Sequence, residues 1–189
     1  MEAVAMSSGM RRAVAAERSA SQPRAAFSAL IREHDRSLRV LAYRMLGDRD
    51  EMDDVLQDAY LKAYRAFREF RGDAAAGTWL YRITYNACID RLRRRRPDMG
   101  YLDELSEAGF EPASREDVAV TAQLRTDLQG ALAILPEEQR AAVLLVDALG
   151  WDYAEAAEVL GIARGTLGSR LHRARAVLRH ALGDRGEVV

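Results

Sequence analysis

Residues 163–182, "ARGTLGSRLHRARAVLRHAL", place five arginines and two histidines in one helical stretch without a single carboxylate. A carboxylate there would repel each nearby phosphate, so an acid-free cationic face suits a polyanionic partner, and DNA above all. An ordinary solvated face instead mixes signs, because ion pairs three and four residues apart support a helix. A second basic stretch, residues 79–97, carries Arg82, Arg91, Arg93, Arg94, Arg95 and Arg96 against one acid, Asp90. It also offers Trp79, Tyr81, Tyr85 and Asn86, and cations beside aromatic rings are what single-stranded DNA requires. The plainer alternative places Trp79 and Ile83 in a core and leaves the arginines as a solubilising end. Opposite charge gathers in residues 48–58, where Asp48, Asp50, Glu51, Asp53, Asp54 and Asp58 face one base. Asp54 and Asp58 lie four apart beside Gln57, an acidic face fit for a protein partner rather than for phosphate. No histidine cluster accompanies these acids, so no metal site is read. Paired carboxylates with histidine, a glycine-rich phosphate loop and an activated Cys or Ser are all missing. The expectation is a binding protein, not an enzyme, with no cofactor.

Composition sets the frame for these segments. Over 189 residues, 28 Lys and Arg nearly cancel 29 Asp and Glu, so any strong field must come from local segregation. A single cysteine, Cys88, precludes an intramolecular disulfide and points to a reducing, cytoplasmic setting. Cys88 itself reads as a buried structural thiol. No apolar run approaches the roughly 20 residues needed to span a bilayer, so no membrane insertion is expected. The first residues lack the charged-then-apolar order of a secretory signal.

The elements that must position the charged segments are helical. Phe27, Leu30, Ile31, His34, Leu38, Leu41 and Met45 recur at helical spacing up to Gly47-Asp48. Met52, Val55, Leu56, Ala59, Ala63 and Phe67 mark a second helix, and "EFRGDAAAG" (69–77) a loop. Thr78 is placed as N-cap of a third helix that Pro97 stops. Residues 98–120 hold seven acids and one base, among scattered Gly, Pro and Ser, and read as a flexible acidic linker. Leu124, Leu128, Ala131, Leu132 and Leu135 begin a second block. Pro136 with Glu137 and Glu138 opens its next helix, which runs to Gly150. Asp152 and Glu155 suggest a capping box, and Gly161 a left-handed cap. Leu167, Leu171, Ala174, Leu178 and Leu182 form the buried stripe of the last helix. The predicted fold is all-α, with two small helical domains. A disordered arm spans 1–23, an N-terminal domain of three to four helices 24–97, the linker 98–121, a helix–turn–helix domain 122–183, and a tail 184–189.

Three blocks in this order, "LAYRMLGDRDEMDDVLQDAYLKAYRAF", "FRGDAAAGTWLYRITYNACIDRLRRRRP" and "LPEEQRAAVLLVDALGWDYAEAAEVLGIARGTLGSRLHRARAVLR", resemble bacterial sigma factors. The group is the extracytoplasmic-function (ECF) group of the sigma-70 family, and the likeness covers roughly residues 25–182. It implies that 24–97 is region 2 and 122–183 region 4, and that the chain directs promoter-specific initiation by core RNA polymerase. Asp53, Asp54, Gln57, Asp58 and Leu61 would meet the β′ clamp helices, with the β subunit as a further partner. Arg71, Trp79, Arg82 and Asn86 would open and read the −10 element, and Arg93, Arg94, Arg95 and Arg96 would hold its phosphates. Arg164, Thr166, Ser169, Arg170, His172 and Arg173 would read the −35 element. The linker would follow the RNA-exit path, and a separate anti-sigma protein would supply control. Gly168 stands where relatives carry a long, often basic side chain, and Ala156 where they carry a larger aliphatic one. A free-standing helix–turn–helix repressor or activator is the alternative, but it leaves the acidic and arginine/aromatic helices without a task.

Overall fold

The computed structural model describes residues 2–70, 75–95 and 127–183, with side chains described from Arg24 onward except at Arg68. The expected linker over 98–121, Arg71, Arg96 and the tail lie outside the described residues, as do the side chains of the expected arm. Seven α-helices and no strand occur among the described residues. They are α1 (Glu2–Leu46), α2 (Arg49–Ala66), α3 (Ala76–Arg95), α4 (127–134), α5 (Glu137–Val143), α6 (Tyr153–Leu160) and α7 (Arg164–Gly183).

Local chemistry explains most of the boundaries. Gly47, at φ 76°, ends α1 in a left-handed conformation that a β-carbon would disfavour. Asp48 then starts α2 by accepting the Glu51 amide at 2.9 Å. The start of α3 differs from expectation. The helix begins at Ala76, the Trp79 amide bonds the Ala75 carbonyl at 3.1 Å, and Thr78 is buried rather than capping. At Gly77 a β-carbon would lie 3.0 Å from the His34 ring, so glycine eases the close approach of the first turn of α3 to α1. After α5 the backbone widens into a π-helical turn, Leu144–Ala148, closed by the Leu149 amide on the Leu144 carbonyl at 3.0 Å. Asp152 caps α6 through the amides of Ala154 and Glu155 at 2.6 and 2.9 Å, and Gly161, at φ 65°, ends it.

In the N-terminal half α1, α2 and α3 pack around Leu38, Leu41, Met45, Leu56, Leu80 and Cys88. Cys88 is fully buried as expected, and burial pushes its thiol up to about 12. In the C-terminal half α7 lies on α5 and α6 through Leu145, Val159, Leu167, Leu171 and Ala174. Truncating a leucine such as Leu171 would cost about 2–5 kcal/mol. The stripe on α7 is shorter than its spacing suggests. Leu178 is only partly buried and Leu182 is 40% exposed, because α7 runs on past the helices that cover its first three turns.

The two halves also touch. The α1 C-terminus is the meeting point: Arg140 donates to the Met45 carbonyl at 2.6 Å, and Gln129 donates to the Arg44 carbonyl at 3.3 Å. Arg44 returns a bond to the Gln129 side-chain oxygen at 3.1 Å. From the N-terminal side Arg95 donates to the Leu46 carbonyl at 3.0 Å. Cationic donors at helix-terminal carbonyls offset both the unpaired acceptors and the negative end of the dipole. Farther along, α3 lies against α6, and the rings of Tyr81 and Trp151 sit 4.6 Å apart.

Candidate protein and nucleic-acid interfaces

The acids of residues 48–58 divide by helical geometry. Asp48 is spent as a cap. Glu51 turns inward, its side chain only 18% exposed, and pairs with Arg91 at 3.4 Å and with Arg95. Asp53, placed by its sequence position on the outer face, meets α1 instead through Arg39 at 2.7 Å. Arg39 also holds Asp35 at 3.0 Å, and Asp35 accepts from the Tyr60 hydroxyl at 2.8 Å. That acceptor and, above all, burial push the Tyr60 phenol up. Asp50 and Asp53 stay exposed as well, and one outward stripe runs at spacings of three and four: Asp54, Gln57, Asp58 and Leu61. Tyr64 extends it, and Leu61 and Tyr64 are 49% and 48% exposed. Tyr64 is missing from the sequence-based residues, although its place three residues after Leu61 signals it. Leu61 and Tyr64 thus leave large apolar side chains in water beside these carboxylates.

The arginines of α3 divide in the same way. Arg91 and Arg95, one turn apart, both lie on Glu51, so they brace α3 against α2. Arg93 and Arg94 are exposed and form no ion pair among the described residues. Arg82, Asn86 and Arg93 share one exposed stripe. The aromatic residues do not join it. Trp79 packs with Phe67 and Phe70, ring centroids 6.2 and 5.0 Å away, while Tyr81 and Tyr85 are buried. Their expected availability for stacking is therefore not met here, because α1, α2 and α6 all pack on α3 and Phe67 and Phe70 cover Trp79. Burial pushes both phenols up; for Tyr81 hydrogen bonds with Ser37 and Trp151 partly offset it. Arg82 is turned to the C-terminus of α6, where it donates to the Glu158 carbonyl through Nε at 3.1 Å and through Nη2. The Glu158 carboxylate lies 3.9 Å from the same guanidinium.

The α7 helix keeps most of its cations outward. Arg164, Thr166, Ser169, His172, Arg173 and Arg179 are exposed, and Arg170 is half-buried. The Ser169 hydroxyl donates to the Thr166 carbonyl at 2.9 Å. Arg175 belongs to the scaffold: it grips Asp147 through two bonds of 3.0 and 2.6 Å, which raises its own affinity for the proton. A β-carbon built at Gly168 meets nothing within 4 Å, so no packing requires glycine there. No group of His, Cys, Asp and Glu arranged for a metal occurs among the described residues, and no described helix is long and apolar enough to cross a membrane.

An acidic-apolar stripe, a basic stripe on a three-helix unit and a helix–turn–helix with a cationic second helix together define a DNA-binding protein with a protein-docking face. Residues 30–97 match the sigma-70 region 2 family and residues 125–178 the sigma-70 region 4 family. The ECF RNA polymerase sigma factor SigM of Mycobacterium tuberculosis is 45% identical over 85% of this chain and 79% of its own. The ECF sigma-E factor of Escherichia coli is 33% identical over 90% and 93%. Among solved structures, CnrH in complex with the cytosolic domain of CnrY aligns with a TM-score of 0.68 and 27% identity, covering 92% of this chain and 97% of that one. RpoE of Bartonella quintana, in complex with the anti-sigma factor NepR, aligns at 0.64 and 26% identity over 83% and 96%. The chain belongs to the ECF group of RNA polymerase sigma factors.

Proposed function

We propose that this sigma factor works through three separate surfaces. The α2 stripe of Asp54, Gln57, Asp58 and Leu61 docks on the β′ clamp helices of core polymerase, with Tyr64 added and Asp53 positioning the stripe from behind. On α3, Arg82 and Asn86 read the opened −10 strand, while Arg93 and Arg94 hold its phosphates. Arg164, Thr166, Ser169, Arg170, His172 and Arg173 of α7 read the −35 element in duplex form. These events take place in the cytoplasm, and an anti-sigma protein of the kind bound by the Bartonella RpoE restrains the chain. The observation that carries this reading is the separation of sign: acids and exposed apolar side chains on α2, acid-free cations on α7.

The test is promoter-specific transcription with purified core polymerase. Replacing Asp54 and Asp58 together by Lys should abolish co-purification with core and drop transcripts at least tenfold, with helical content unchanged. Undiminished core binding by that variant would remove the assignment of α2.

A further inference from the structure

Arg175 is the α7 arginine tied to the scaffold, yet the tie uses only part of its chemistry. Asp147 accepts from its Nε at 3.0 Å and from its Nη2 at 2.6 Å, and the Tyr153 hydroxyl bonds the same guanidinium. Five N–H donors less those three leave two, on a side chain still 45% exposed. Asp147 comes from the π-helical turn Leu144–Ala148 and Tyr153 from the start of α6, so two separate elements meet on one group. Along α7, Arg175 follows Gly168 and His172 and precedes Arg179 at helical spacing, and all four line an open cleft of about 910 Å³. With Leu178 and Leu182 at its far end, the described lining holds two arginines, a histidine and no carboxylate. At about 1.5 Å per residue, Arg175 stands roughly 9 Å beyond Ser169 along the helix axis. A major groove is about 12 Å wide, so a helix with Thr166 and Ser169 on base edges brings Arg175 to the phosphates of its wall.

We propose that Arg175 is a further −35 contact, made to a phosphate, and that Asp147 and Tyr153 are the positioning residues that aim it. The proposal rests on the reading of α7 as the −35 helix. A free arginine on a helix surface gives up rotamer freedom when it binds a phosphate. Here the fork is already fixed from two sides when the chain folds, and its exposed part lines the cleft beside His172 and Arg179. A pair this exposed adds little to the stability of the fold, so its effect lies in direction. Charge alone argues the other way, because a carboxylate close to DNA repels phosphate and cancels part of the arginine's charge. If Asp147 only neutralised Arg175, removing it would tighten promoter binding. If Asp147 aims Arg175, removing it weakens that binding. The two roles differ in sign.

The test uses the full chain assembled with core polymerase, and a duplex promoter fragment that this assembly transcribes. Arg175→Ala should weaken binding at least about fivefold, the contribution of one hydrogen bond, and flatten the slope of log affinity against log salt by about one. Asp147→Ala should weaken binding too, despite the lost negative charge. The double variant should bind no more weakly than Arg175→Ala alone, because both changes remove one contact. Arg175→Lys, which keeps the charge but not the fork, should keep the slope and lose affinity. A pair that merely braced the fold would move neither the slope nor the sign of the Asp147 effect, and thermal melts with core binding report any loss of fold. Tighter or unchanged binding by Asp147→Ala would overturn the proposal. So would a wild-type slope in Arg175→Ala, or full affinity in Arg175→Lys. Promoter binding indifferent to Arg164→Ala and Arg173→Ala would instead remove the reading of α7, and the proposal with it.

Discussion

Helices α3 and α7 are both rich in arginine, yet they spend it differently. On α3 two of the described arginines are tied to Glu51 and a third to the end of α6, which leaves Arg93 and Arg94 in water. On α7 Arg175 is bound to Asp147 and Arg170 is half-buried, while Arg164, Arg173 and Arg179 stay outward. The cause is the neighbour. Helix α3 runs beside the acidic N-terminus of α2, where Glu51 takes two of its arginines, whereas on α7 Asp147 takes only Arg175. A count of cations therefore overstates the nucleic-acid surface wherever an acidic helix packs alongside.

The widest test of this contrast is salt dependence. Replacing Arg93 and Arg94 by Ala should weaken promoter complexes and flatten the dependence of log affinity on log salt by up to about one unit for each phosphate no longer neutralised. Replacing Arg91 and Arg95 should lower thermal stability and leave that slope unchanged. Equal slopes for the two pairs would erase the distinction drawn between them.

A smaller effect follows from the acids. Glu51→Gln removes the charge of a partly buried partner shared by two arginines and should destabilise the N-terminal half by about 1–2 kcal/mol in urea unfolding. Asp147→Asn, at an exposed pair, should cost less than about 1 kcal/mol. The reverse order would show that α3 is not braced by α2.

The least of the three concerns two helical glycines. Gly168→Ala should stabilise the protein by about 0.5–1 kcal/mol, since the added methyl meets open space and glycine is the poorer helix former. Gly77→Ala should destabilise, because its methyl must displace the His34 ring, which rests edge-on against Tyr81 at 5.9 Å. Thermal melts of both variants decide it. Gly168→Lys should go further and tighten −35 binding. A lysine variant that melts higher but binds more weakly would mean that the backbone itself approaches DNA at this point.

Much of this architecture was legible in the sequence because its signals are local. Gly47, Asp48, Asp152 and Gly161 stop and start helices through their own backbone preferences and side-chain bonds, and the spacing of Leu38, Leu41, Met45 or Leu167, Leu171, Ala174 needs no partner to be read. The Asp54, Gln57, Asp58 and Leu61 stripe was legible for the same reason. What failed depends on neighbours distant in sequence. Thr78 looked like a cap, but the helix already begins at Ala76, and Tyr81 and Tyr85 looked available until the neighbouring helices covered α3. Leu182 fits the period of a buried stripe, yet periodicity says nothing of where the covering helices end.

The C-terminus of α1 has a consequence for the order of assembly. Its carbonyls at Arg44 and Met45 take their donors from Gln129 and Arg140, 85 and 95 residues later in the chain. On a ribosome adding about 5–20 residues per second, those donors are made roughly 5–20 s after α1 itself. The N-terminal half therefore folds with these acceptors in water, and only Arg95 on Leu46 is available from its own side. During that interval a nascent chain exposes the α3 face that α6 later covers.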